Sequence, residues 1–379
     1  MNAPLLLIPG PVQTDPRVKA AMAQDFAPWD NATRPRYAAL RERIRCIAGG
    51  VEGVHVCIPL QGSGHFVLEA ALRTFVSPGG KVLVPVNGDY GERLVRLARE
   101  SGRIPVETHF PEGQPVTAEA VATALAADPE IGHVALVHSE TSTALLNPVE
   151  AIAQAVRLSG RRLILDAVSS FGALPFDLAS HPETDAVIFS ANKCLAGMPG
   201  LGFAVARIDR LVVAEGQAGS WVLDLSDAYR HALQHGWGSI RFTASVQAIA
   251  AMEVAVAMFD EEGGQPALLA RYAENVEVIR AGLLALGLDP WIPAALQGPI
   301  IVNMHQPADP RWQLLEFVER LKRKGFLISN FSATREPTLR VGCIGRLFPD
   351  TMREAVKAMG EVLDEMGIRE RGRRRAAAA

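Results

Sequence analysis

From about residue 54 to 207, short apolar runs alternate with longer stretches of helical periodicity. VHVCIPL (54–60) precedes a Gly-Ser-Gly turn and the helical pattern HFVLEAALRTF, and KVLVPV (81–86) precedes NGDYGERLVRLARESG. HVALVHSE (133–140), RRLILDAVSS (161–170), DAVIFSANK (185–193) and GLGFAVARI (200–208) follow. These runs are nearly all apolar rather than alternating, as in strands covered on both faces. Strands separated by helices predict a largely parallel sheet flanked by helices, with ligands at the carboxyl ends of its strands. After about residue 255 the texture changes. EEGGQP (261–266) interrupts a long helical pattern, GPIIVNMH and PTLRVGCIG read as strands, and WQLLEFVERLKRKG reads as an amphipathic helix between them. The expected organisation is an N-terminal segment (1–15), a large α/β domain (16–255), a smaller α+β domain (256–368) and a frayed basic tail (369–379).

Composition narrows the function classes. A chain of 379 residues can form a large domain plus a smaller one. Its net charge of −3 provides no global field for nucleic acid or an anionic membrane. Four scattered cysteines (Cys46, Cys57, Cys194, Cys343) form no CxxC pair, which argues against a zinc site or a disulfide framework. No metal is expected. No apolar run reaches transmembrane length and no secretory leader is evident, so the expectation is a cytoplasmic protein.

Lysine is scarce, with six in the chain, and Lys193 stands alone between Lys81 and Lys322. It ends an apolar run and enters the glycine-rich KCLAGMPGLG. A desolvated amine there suits Schiff-base formation, although a snorkelling lysine at a strand end would give the same pattern. Asp166 ends RLILD, where a buried carboxylate needs a cationic partner such as a pyridinium nitrogen; an Asp capping the next turn is the alternative. Gln61-Gly62-Ser63-Gly64-His65 lies between a strand and a helix, a place suited to an anion. Val67 occupies the third glycine position of a dinucleotide fingerprint, so a monophosphate fits better than a pyrophosphate, and a nicotinamide-dependent oxidoreductase is disfavoured. Cys194 and Cys343 read as packing, and His133 and His138 as core or surface histidines.

These strings, with LLLIPGPVQT, HSETSTALLNPVEAI, SANKCLAGMPGLGF, RFTAS and LRVGCIG, run in order over residues 5 to about 345. Together they resemble the class V aminotransferases of pyridoxal-phosphate fold type I. The resemblance implies a fold with a large domain built on a mostly parallel sheet and a smaller C-terminal domain. It also implies that Lys193 carries pyridoxal 5'-phosphate and shuttles a proton, and that Asp166 holds the ring nitrogen. Tyr90 and Val168 would bracket the ring, and Ser63, Gly64, His65 and Ser190 would bind the phosphate. Thr143 would approach the ring hydroxyl or the substrate, and Arg340 would clamp a substrate anion. Thr243 of the partner subunit would reach the phosphate, which implies a homodimer with active sites at the subunit interface. The implied reaction passes an amino group from a small amine to a 2-oxo acid. Motifs such as ETSTALLNPVEAI favour the phosphonate branch, with 2-aminoethylphosphonate as donor and pyruvate as acceptor. Ser-Gly-His at 63–65 is instead similar to the alanine/serine–glyoxylate branch. GFLISNFSATREP and LDLSDAYRH also depart from the phosphonate pattern.

Overall fold

The computed structural model describes residues 3–373. Its central sheet has seven strands, in the spatial order His55–Gln61, Leu201–Arg207, Thr184–Ser190, Arg162–Asp166, Ile131–Val137, Lys81–Val86 and Ile104–His109. Neighbours run parallel except at Leu201–Arg207, which is antiparallel to the strands on both sides.

The apolar runs become strands because both of their faces are covered. Leu163 and Leu165 join one hydrophobic cluster with Leu136 and Phe189. The intervening Ile164 joins another with Val137 and Ile188. Successive strand side chains point to opposite faces, so a run needs apolar residues at every position only when helices lie on both sides. Helices Gly64–Phe75 and Asp89–Glu100 cover the second face through Val67, Leu68, Leu72, Leu94 and Val95. Ala118–Ala127 and Val149–Leu158 cover the first through Val121, Leu125, Ile152 and Val156.

Two features depart from the sequence reading. Ile104–His109 is an edge strand whose side chains are half-buried or exposed, so it carries no apolar run. Leu201–Arg207 reverses direction because only the segment 191–200 separates it from the preceding strand. That is too short for a helical crossover.

A third cluster unites Leu7, Val302, Met304, Phe317, Val341 and Met359. Within it Ile301–His305 pairs antiparallel with Thr338–Gly342, and Leu5–Leu7 pairs parallel with Phe326–Ile328. The interruption expected at EEGGQP falls at Gly263, between helices Val246–Glu262 and Gly264–Ala285. The basic tail was expected to fray from residue 369, yet 369–373 fold back. The amides of Arg369 and Glu370 donate to Asp309 at 2.6 and 3.3 Å, and that of Ala308 donates to the Gly372 carbonyl at 2.9 Å. Residues 374–379 of that tail lie outside the described residues. Among the described residues no helix is long and apolar enough to cross a membrane, and no group of His, Cys, Asp and Glu gathers to hold a metal.

Candidate active site

The strands ending at Gln61, Val86, Val137, Asp166 and Ser190 point the same way, so the loops that follow them leave one edge of the sheet. Asp166 ends its strand at 5% exposure. Its carboxylate accepts a 2.9 Å bond from the Val168 amide, the one protein donor it has among the described residues. Burial pushes its carboxyl up to about 6, only partly offset by that amide and by the charge of Lys193.

Lys193 lies three residues beyond Ser190, which closes its own strand and is buried. The Lys193 side chain is buried too, and its Nζ donates to the Pro9 carbonyl at 2.8 Å. Among the described residues it has no carboxylate within ion-pair distance. The amide of Val12 donates to the Asn192 carbonyl at 3.3 Å, so the N-terminal segment crosses directly over the lysine. Cys194, next in the chain, donates its thiol to the Ser169 carbonyl at 3.3 Å, and burial pushes the thiol up to about 12. That state is inert, as expected of packing.

Ser63 precedes helix Gly64–Phe75 in an extended conformation and makes no side-chain cap, so the Gly64 and His65 amides keep their capacity for an anion, while that of Phe66 donates to the Ser63 carbonyl at 3.1 Å. A side chain at Gly64 would run into Val168, its Cβ coming within 2.5 Å of a valine methyl, so glycine is what lets this turn approach the loop after Asp166. His65 is half-buried with its ring 6.3 Å from that of Tyr90. Burial lowers its basicity, and the charges of Arg93 and Lys193 lower it further. Tyr90 occupies the first turn of helix Asp89–Glu100.

Thr143 is fully buried; its hydroxyl donates to the Glu140 carbonyl at 3.3 Å. Arg340 is buried on its strand, donating to Ser329 Oγ at 3.4 Å and to the Thr141 carbonyl at 3.3 Å, with Phe331 over its guanidinium. Burial lowers its basicity, while Tyr90 and Asp89 act in the opposite direction. No carboxylate neutralises it by direct contact among the described residues. Thr243 is not drawn into this group. It is exposed, and its carbonyl accepts a bond from the Gln61 side chain.

Sequence reasoning missed Glu140. Its carboxylate is fully buried and accepts amide bonds from Tyr90 at 3.2 Å, Gly91 at 3.3 Å and Ser142 at 3.1 Å. Burial pushes it up to about 7 against the pull of those bonds and of the Ser142 hydroxyl. An acidic residue among threonines and serines reads as a solvated loop. The usable signal was its position directly after a buried strand.

Residues 37–300 match the family model described as aminotransferase class V. A 2-aminoethylphosphonate–pyruvate transaminase of Pseudomonas putida (strain W619) is 46% identical over 367 residues, covering 97% of this chain and 99% of the relative. The pyridoxamine–pyruvate aminotransferase structure from Mesorhizobium loti has a TM-score of 0.87 at 25% identity, over 97% of this chain and 93% of that one. An alanine–glyoxylate aminotransferase structure from Nostoc sp. has a TM-score of 0.86 at 24% identity, over 96% of each chain, a likeness of fold.

Proposed function

This chain belongs to the class V aminotransferases, and on that premise we propose that it passes the amino group of 2-aminoethylphosphonate to pyruvate, giving phosphonoacetaldehyde and alanine. The carrying observation is near-full-length identity of 46% to a relative named for that reaction. The enzyme depends on pyridoxal 5'-phosphate, which when bound supplies an electron sink for the bond broken at the substrate carbon.

The residues fit that group. Asp166 is a buried carboxylate with a single amide donor and a pKa raised by burial, so a cationic ring nitrogen satisfies it. Lys193 is a buried amine held by a carbonyl rather than paired with an acid, so it stays available to an aldehyde. Gly64 keeps the turn open beside Val168, where a planar ring needs room. In our reading Lys193 then moves the proton at the substrate carbon. Ser63, Gly64, His65 and Ser190 hold the phosphate, and Tyr90 and Val168 bracket the ring. Thr143 orients the ring hydroxyl or the substrate, and Arg340 grips the anionic end of the donor. A neutral His65 can accept or donate a hydrogen bond there without adding charge.

We read residues 1–15 as a segment tied to the site and to the smaller domain, 16–255 as the large domain and 256–368 as the smaller one. The separate hydrophobic cluster around Val302 and Met359 supports that division. The active form in this reading is a cytoplasmic homodimer, with Thr243 of the partner subunit reaching the phosphate. Exposed Trp221, Val222 and Phe242 beside Thr243 support an interface there. Incubating the protein with each candidate donor and acceptor tests the substrate. Alanine should form from 2-aminoethylphosphonate with pyruvate. Alanine or serine turning over with glyoxylate, and no product from the phosphonate, would move the chain to the glyoxylate branch.

A further inference from the structure

We propose that Glu140 is a positioning residue that sets Tyr90 for the cofactor ring, acting through the first turn of helix Asp89–Glu100. The inference rests on the assignment of Tyr90 to that ring, made above.

The helix has no cap of its own. The residue before it, Gly88, supplies no side chain, and the first-turn amides lack intrahelical acceptors. The acceptors come from a different strand's loop. Glu140 takes the amides of Tyr90 and Gly91, and Ser142 Oγ takes that of Asp89 at 3.1 Å. The Ser142 hydroxyl donates in turn to Glu140, which joins both caps into one unit. The fit is close. A Cβ at Gly88 would lie 2.5 Å from both Glu140 Cγ and Ser142 Oγ, so no larger residue can stand where the loop meets the helix. A carboxylate at a helix N-terminus is also favoured by the helix dipole, which partly offsets the cost of burying it.

The same loop is fixed on its other side. Asn303 donates to the Ser142 carbonyl at 2.8 Å, Arg340 to the Thr141 carbonyl and Thr143 to the Glu140 carbonyl. Residues 140–143 therefore tie the Tyr90 helix to the strands bearing Asn303 and Arg340. A solvated cap would leave the tyrosine free to swing. A buried one with three amide bonds holds the backbone of the residue that carries the ring.

The test is a double-mutant cycle on affinity of the apoprotein for pyridoxal phosphate, read by titration and by visible circular dichroism of the bound cofactor. Tyr90→Ala alone tests the premise. If it leaves affinity and dichroism unchanged, the tyrosine assignment fails whatever Glu140 does. Given an effect there, Glu140→Gln should weaken binding about tenfold, because an amide offers those N–H groups a poorer acceptor and places its own donors among them. Adding Glu140→Gln to Tyr90→Ala should cost nothing further. Multiplying losses, or unchanged affinity in Glu140→Gln, would overturn the proposal. Hydrogen exchange on the apoprotein gives a second readout, with residues 88–92 exchanging faster in Glu140→Gln. Should that variant not fold, Ser142→Ala serves in its place, with the same local exchange and about a threefold loss of affinity expected. No change in either would likewise refute the idea.

Discussion

Asp166 and Asp185 lie on neighbouring strands of one sheet, both buried, yet they are opposites. Asp185 sits near the start of its strand, where Arg162 Nε donates to it at 2.7 Å, His133 at 3.1 Å, and Arg210 Nε lies 3.2 Å away. Burial alone would push its pKa up, but the histidine and arginine outweigh it and hold the carboxyl below the usual range. Asp166, at the other end of the sheet, has one amide and is pushed up to about 6. A carboxylate that serves the fold is satisfied within it. One left with a single donor at the carboxyl edge of a parallel sheet has capacity for a cation from outside.

Substitutions can break that contrast. The largest effect belongs to Lys193→Ala, which should lower turnover by about four orders of magnitude or more in a steady-state assay, since both the covalent anchor and the proton carrier are lost. Asp166→Asn comes next, with turnover reduced about 100- to 1000-fold because a neutral amide cannot hold a protonated ring nitrogen. Near-normal turnover there would place the functional carboxylate elsewhere. Asp185→Asn should leave cofactor affinity unchanged but cost about 3 kcal/mol in a denaturant titration, by stranding Arg162 and His133.

The smallest effect separates the two by sign. The Asp166 carboxyl is raised in the folded state, so ionising it weakens the apoprotein as pH climbs from about 4 through about 6. Apoprotein carrying Asp166→Asn should therefore be more stable than the parent at pH 8, by up to about 3 kcal/mol, with the gap closing at acid pH. Asp185 is depressed, so its contribution is full above the ordinary carboxylate value and disappears as pH falls through its folded value. Melting curves of the two variants across pH should diverge from the parent in opposite directions.

Much of this was legible in the chain itself. Lys193 and Asp166 stood out as ionisable residues at the ends of apolar runs set within the family's ordered motifs, and glycines at 62 and 64 marked a tight turn. The edge strand Ile104–His109 was not legible, because a half-exposed strand carries polar residues that resemble a loop. The reversal at Leu201–Arg207 left a usable sign in the short segment before it, since a parallel return needs a longer crossover. Glu140 left only its place after a buried strand as a sign, because its role depends on amides about 50 residues away that only the folded loop brings to it. The folding-back of 369–373 depends likewise on Asp309, distant in the chain.

The attachment of the cofactor to Lys193 can be read chemically. The holoenzyme is treated with borohydride, digested, and its peptides mapped by mass spectrometry for a pyridoxyl group. A single label is expected, on the Lys193 peptide, with loss of the visible absorbance band. A label on any of the other five lysines, or none at all, would contradict it.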